Sequence, residues 1–351
     1  MTSPASPDQG PAAARPFGTP ASNTTAAALL LALLAAIVVP SFLTLSTVRR
    51  AIIHEDVGDT TPYGYTVSLL LFLVPIAILT PWFFRNHPPG SFRRRAFWWT
   101  VGLLVPVGFL LDLLFGNLFF RFPNPGATLG VYVPGFSFHT GWIVWDLPIE
   151  EFVFYVSGFV AILLVYNWCN EVWVPAYGVP DYGDTSRHPP YVVDIEWRAL
   201  WWGVGVFVLA VIYKKLFAPI VLERSYREGF PLYLAFLLVA SIGPALLLGR
   251  SARPFINWRA FSVTLLWVLL TSLLWEATLA SPYGWWHYEY RWMMGLHINA
   301  WASLPVEAVL LWIAVAYTTT TVFETIKVLM HMKRPLPDAL FGTGAEPPEG
   351  G

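Results

Sequence analysis

Eight apolar stretches of about 18–25 residues constrain this chain more than any other feature, near 26–45, 64–84, 96–120, 147–168, 199–217, 231–249, 259–280 and 304–329. Each can cross about 30 Å of hydrocarbon as a helix, because a helix rises ~1.5 Å per residue and satisfies its own backbone polar groups. The expected fold class is all-α, a polytopic membrane helix bundle of about eight transmembrane helices. Composition agrees: of 351 residues 56% are hydrophobic and only 12% are charged, against about 25% charged in soluble domains. Residues 1–25 and 333–351 lack apolar periodicity and are rich in small residues, Pro and Gly, which predicts disordered tails. The first stretch has no small-residue cleavage site after it and is expected to be an anchor, not a removed signal peptide.

Several function classes fall away. With 21 Lys+Arg against 22 Asp+Glu there is no basic surplus to hold a nucleic-acid backbone. Gly203-Val204-Gly205 lacks the third glycine of a dinucleotide fingerprint, and no Asp-Asp-x-x-Asp run is present to hold a magnesium diphosphate. Cys169 stands alone, and His139, His287 and His297 are not spaced as a helical metal pair, so neither a cofactor nor a metal is expected. By side of the membrane, Lys and Arg divide 13 to 8, which predicts cytoplasmic termini and insertion in the cell membrane.

The polar residues inside the apolar stretches repeat. Arg95-Ala96-Phe97 opens the third stretch and Arg259-Ala260-Phe261 the seventh; seventeen residues after each Arg comes an acid, Asp112 or Glu276. Leu147-Pro148-Ile149-Glu150 opens the fourth stretch and Leu304-Pro305-Val306-Glu307 the eighth, with Trp145 and Trp301 shortly before. The pattern predicts two tandem parallel four-helix repeats, 26–170 and 199–332, joined by a loop over 171–198, with the site where the repeats meet. Seventeen residues advance ~25 Å, which brings Asp112 and Glu276 to the side on which the helices of Glu150, Glu151 and Glu307 begin.

Pro at a helix start followed by Glu is also an ordinary way to begin a helix. An acid within hydrocarbon, however, is costly and is by default a functional signal. A carboxyl group in an apolar, aromatic cavity favours its protonated form, and a second nearby acid reinforces this. Without a metal cluster, nucleophile triad or cofactor loop, protonation of an apolar substrate is the chemistry left open, with aromatic faces to steady a cation. The candidate catalytic residues are Glu150, Glu151, Glu307, Asp112 and Glu276. Trp142, Trp145, Phe138, Trp286 and Trp301 are the candidate substrate-binding aromatics, although residues of this type also anchor membrane interfaces.

Asp146-Leu147-Pro148-Ile149-Glu150-Glu151-Phe152 resembles the Pro-x-Glu-(Glu/Asp) signature of the membrane-integral, flavin-independent lycopene cyclase family. The likeness covers roughly residues 64–170 and, more loosely, 231–330. It implies a lipophilic polyene substrate, cyclisation through a carbocation without net redox change, and contact with other carotenoid enzymes. The second copy departs from the signature, reading Pro305-Val306-Glu307-Ala308, and the first and fifth stretches are additional to two three-helix cores. Two other classes fit part of the pattern. A carotenoid hydratase or other membrane terpenoid enzyme would capture the same cation with water. A polyene-binding or retinal-binding protein or a transporter would do no such chemistry, and the last two stretches offer retinal only Lys327.

Overall fold

The computed structural model describes residues 61–174, 189–218, 220–221 and 224–342. Among them are seven helices long and apolar enough to cross a membrane: α1 (Gly64–Asn86), α2 (Phe92–Phe119), α3 (Ile149–Trp173), α4 (Trp197–Leu216), α5 (Leu232–Phe255), α6 (Trp258–Ala280) and α7 (Val306–Met332). They match the second to eighth apolar stretches to within a few residues at each end. The first stretch and the proposed tail over 1–25 lie outside the described residues. The chain is thus mostly helical and has the character of an integral membrane protein.

The helices form because long apolar runs can satisfy their backbone only internally, which also lets them carry Pro75, Pro81, Pro106 and Pro244 in their interiors. Two helices make the centre. α3 and α7 pack on each other and are the most enclosed; α1 packs on α3, α5 on α7, and α4 on α5. α2 packs on both α3 and α7, and α6 likewise packs on both α7 and α3. Exposed Leu70, Val74 and Ile78 on α1, Leu103, Val107 and Leu110 on α2, and Trp201, Trp202 and Leu209 on α4 present an apolar outer surface, as lipid contact requires.

Short hairpins interrupt the all-helical expectation. β1 (Phe120–Arg121) continues α2 and pairs with β6 (His287–Tyr288). β2 (Tyr132–Ser137) and β3 (Trp142–Pro148) form an antiparallel hairpin that runs directly into α3, with a bulge between Val133 and Pro134. β4 (Ile220–Val221) pairs with β5 (Arg224–Ser225), and β7 (His297–Ile298) with β8 (Leu304–Pro305), which runs into α7.

The expectation of disorder from residue 333 onward needs correction: Leu336–Phe341 is a short helix, α8. It is docked by the main chain, for the Val192 and Val193 N–H groups donate to the Ala339 and Leu340 carbonyls at 2.9 Å each. The described part of the connecting loop is also tied down, with Ser251 Oγ donating to Val192 O at 2.6 Å and Arg250 paired to Asp194 at 2.9 Å.

Candidate active site

The five candidate acids are all buried, Glu307 completely and Glu151 at 6% exposure. Each is placed by the helix that carries it. Asp112 lies near the end of α2 and Glu276 at the end of α6, while Glu150, Glu151 and Glu307 occupy the first turns of α3 and α7. Glu151 is close enough to Asp112, Glu276 and Glu150 to interact with each electrostatically. Acids carried by α2, α3 and α6 are thus neighbours around Glu151.

The acids differ. Glu150 Oε1 accepts from Thr66 Oγ1 at 2.5 Å and from the Leu129 N–H at 2.7 Å. Glu307 Oε1 accepts from the Met294 N–H. Both glutamates stand two residues after a helix-opening proline and hold the loop that precedes their own hairpin. Glu151 Oε1 accepts from the Tyr65 hydroxyl at 2.8 Å. Glu276 takes one donor on each oxygen, Tyr288 OH at 2.7 Å and Trp312 Nε1 at 3.2 Å. Burial pushes the Tyr288 phenol above its usual range, so it remains a donor.

Asp112 borders open space. It lines a cavity of about 380 Å³ between α2, α3, α5 and α7, whose other walls include Leu104, Phe115, Phe159, Phe236 and Leu311. The cavity follows α2 from Leu103 to Phe119, a length of about 24 Å at ~1.5 Å per residue. Tyr155 and Tyr233 also line it, and the Tyr155 hydroxyl lies beside the Asp112 carboxyl group. Glu150, Glu151, Glu276 and Glu307 do not line this cavity.

The candidate aromatics are not gathered with the acids. Trp142 and Trp145 are 75% and 70% exposed on β3, far from lining the cavity. Phe138 is half exposed but stacks on the cavity residue Phe115, with centroids 6.0 Å apart. Trp286 is buried within a packed aromatic cluster, 4.7 Å from Trp275 and 5.1 Å from Tyr65 between ring centroids, and Trp301 packs against the same core. None of these five lines the cavity.

Other polar groups escaped the sequence reading. Tyr65 and Tyr233 stand at the starts of α1 and α5, and Tyr155 lies one turn beyond Glu151, so helical spacing held a signal for Tyr155. Lys214 is fully buried on α4, and its Nζ donates to the Arg291 carbonyl at 3.0 Å and to the Met293 carbonyl. It thereby braces the loop that presents the Met294 N–H to Glu307. Toward the other end of α7, Lys327 pairs with Glu324 at 2.8 Å, and Tyr166 OH donates to Glu324 at 2.9 Å. Lys327 does not line the cavity.

Among the described residues no three His, Cys, Asp or Glu side chains converge as metal ligands. What the site offers chemically is carboxyl and phenol groups beside an apolar space. No protein-family model, curated protein or solved structure matches this chain.

Proposed function

We propose that the protein is a membrane cyclase that closes rings at the ends of a linear, lycopene-type polyene. The observation that carries this reading is Asp112, a buried carboxyl group on the wall of a long and otherwise almost wholly apolar cavity. Such a space accepts a flexible hydrocarbon chain and excludes water, while its acid lies within reach of the chain's double bonds.

Two carboxyl groups held close in an apolar surround share a proton more readily than they both ionise. Asp112 and Glu151 form such a pair, and Asp112 is the member that meets substrate. Its proton adds to a terminal double bond to give a tertiary carbocation. A neighbouring double bond attacks that centre, closing the ring and moving the charge onto a ring carbon. Loss of a proton from the adjacent carbon to a carboxylate restores the double bond, so the product is an isomer of the substrate. Tyr155, Phe115 and Phe159 line the path of the cation and offer ring faces to it. Glu276, held by two donors, supplies negative potential from behind this wall.

The same reading takes the chain as two tandem parallel copies. Its support lies in paired geometry: α2 bridges α3 and α7 as α6 bridges α7 and α3. Leu129 caps Glu150 as Met294 caps Glu307. Tyr155 adjoins Asp112 as Trp312 adjoins Glu276, each seven residues beyond its helix-opening proline. An eighth span over 26–45, cytoplasmic termini and residence in the cell membrane belong to this proposal.

Expression in cells that accumulate lycopene tests it. The expected product has unchanged mass and a shorter chromophore; accumulation of unaltered lycopene beside abundant membrane-inserted protein would count against the reading.

A further inference from the structure

The cavity beside Asp112 has a floor, a closed end and an open side, each built from different residues. Its floor is α3 and α7, where Phe159, Leu311 and Ala314 are buried. Its side walls are α2 and α5. These walls are clasped together at one end by aromatic rings: Phe119 stands 4.8 Å from Tyr233 and 5.5 Å from Phe236 between centroids, and Phe115 stands 5.9 Å from Phe236. Beyond the clasp α2 and α5 each pack on α7 but share no extended interface with one another.

Along that open side the same residues line the cavity and face outward. Leu103 and Val107 on α2 are 51% and 47% exposed, and Val239 on α5 is 73% exposed, whereas Phe119 and Tyr233 at the clasp are buried. Val107 lies fifteen residues after Phe92 and twelve before Phe119, the ends of α2, or about 22 and 18 Å at ~1.5 Å per residue. That is the depth of hydrocarbon and not of water or headgroups. Among the described residues no Lys, Arg or Glu lines the cavity, and Thr318 spends its hydroxyl on the Ala240 carbonyl at 2.6 Å. The two helices at the opening also carry interior prolines, Pro106 in α2 and Pro244 in α5, while α3 and α7 of the floor carry none. Each proline removes a rung of helical hydrogen bonding and permits local bending.

We propose that the gap between α2 and α5 is a lateral portal through which a linear hydrocarbon chain enters from the bilayer, one end first, to lodge against the aromatic clasp with its remainder left among the lipid chains. The rim offers such a chain only aliphatic side chains, and an entrance in the plane of the membrane spares its surface any exposure to water. Asp112 lies between rim and clasp, five residues beyond Val107 and three before Phe115, so the part of the chain that passes it is an end. The portal rests on the cavity and its rim; that the entering end is the one that closes into a ring rests on the cyclase reading.

Spin labels on Val107→Cys and Val239→Cys of the full-length protein in lipid nanodiscs test the portal. Leu110→Cys is the control, because Leu110 is exposed on α2 without lining the cavity, and the native Cys169 is buried. All three are exposed aliphatic positions, where substitution costs little stability. The probes are squalene and lycopene, read through label mobility and through collision with oxygen, which partitions into hydrocarbon, or with a water-soluble nickel chelate. Before a probe is added, all three labels should collide with oxygen and be shielded from nickel. Either probe should then immobilise the labels at Val107 and Val239 and lower their oxygen collisions, leaving Leu110 unchanged. Nickel collision at Val107 or Val239 would place the opening in water and overturn the proposal. So would shielding of those two labels from oxygen at the outset, whether by a second copy or by residues 26–45 of the same chain, and so would an absent or equal response at all three positions. A response to squalene without ring closure from lycopene would uphold the portal and sink the cyclase reading; ring closure beside a nickel-accessible rim would do the reverse.

Discussion

Replacing Asp112 by Asn removes one acidic proton and little else. The amide keeps the volume of the carboxyl group and its place beside Tyr155, and Oδ2 has no hydrogen bond among the described residues for the substitution to break. The cost to folding should therefore stay within about 0.5–1 kcal/mol, the range of ordinary mild substitutions. The cost to turnover should be far larger. A positioned general acid contributes about 10²–10⁴-fold, which is roughly 3–5 kcal/mol of barrier. A steric version of the experiment leaves the acid present but moves it. A Cβ at Gly116 would lie 2.8 Å from Asp112 Oδ1 and 3.0 Å from Leu147 Cδ2, so Gly116→Ala must displace one of them. A shift of even 1 Å in a catalytic group can cost about 10²-fold. The assay is initial rate of pigment conversion in isolated membranes, normalised to inserted protein. Retention of more than about a tenth of wild-type rate by Asp112→Asn, below the least effect expected of a general acid, would refute the assignment.

Three further predictions concern the surrounding structure. Glu150→Gln and Glu307→Gln retain an acceptor for the Leu129 and Met294 N–H groups and should melt near wild type in detergent, whereas each alanine variant leaves one of those donors orphaned at about 1–3 kcal/mol; equal melting of the Gln and Ala forms would remove the loop-holding role. Lys327→Met strips the buried Glu324 of its ion partner, at about 3–5 kcal/mol by analogy with broken buried pairs, while Lys327→Met with Glu324→Gln should recover most of the loss; a double variant no more stable than the single one would contradict this. Burial holds His297 below its usual 6.5, so the unfolded chain takes up a proton first: stability is full above about pH 6.5, falls as pH drops below it, and levels off once the folded His297 protonates. Melting curves from pH 7.5 to 5 should show that loss and His297→Gln should reduce it; identical curves for both proteins would exclude His297 as the source.

The spans were readable from residue type alone, because twenty apolar residues in a row leave the backbone no alternative to a helix. The placing of Asp112 and Glu276 toward the ends of their helices, and of the glutamates at the starts of theirs, followed from helix spacing. Depth arithmetic says nothing about azimuth, however. It could not separate Asp112, which borders the cavity, from Glu150 and Glu307, which turn toward loop N–H groups. The exposed Trp142 and Trp145 illustrate the same limit: three residues apart, they suit one face of a helix or a membrane interface, and only the pairing of β2 with β3 shows that they stand on a strand. Lys214 resembled a basic residue at the end of a span and proved to be buried against loop carbonyls from a segment more than seventy residues away. Tyr233 could be placed on the cavity wall only once α2 and α5 were seen together.

The most direct test of the account is the hydrogen bookkeeping of the reaction. Protein reconstituted in liposomes would be given lycopene in D₂O, and the product examined by mass spectrometry. Protonation followed by loss of a different proton predicts an isomer carrying one deuterium for each ring closed, formed without added flavin, nicotinamide or divalent metal. A product heavier by one D₂O would show that water captures the cation. A ring-closed product with no deuterium would contradict acid-initiated cyclisation outright.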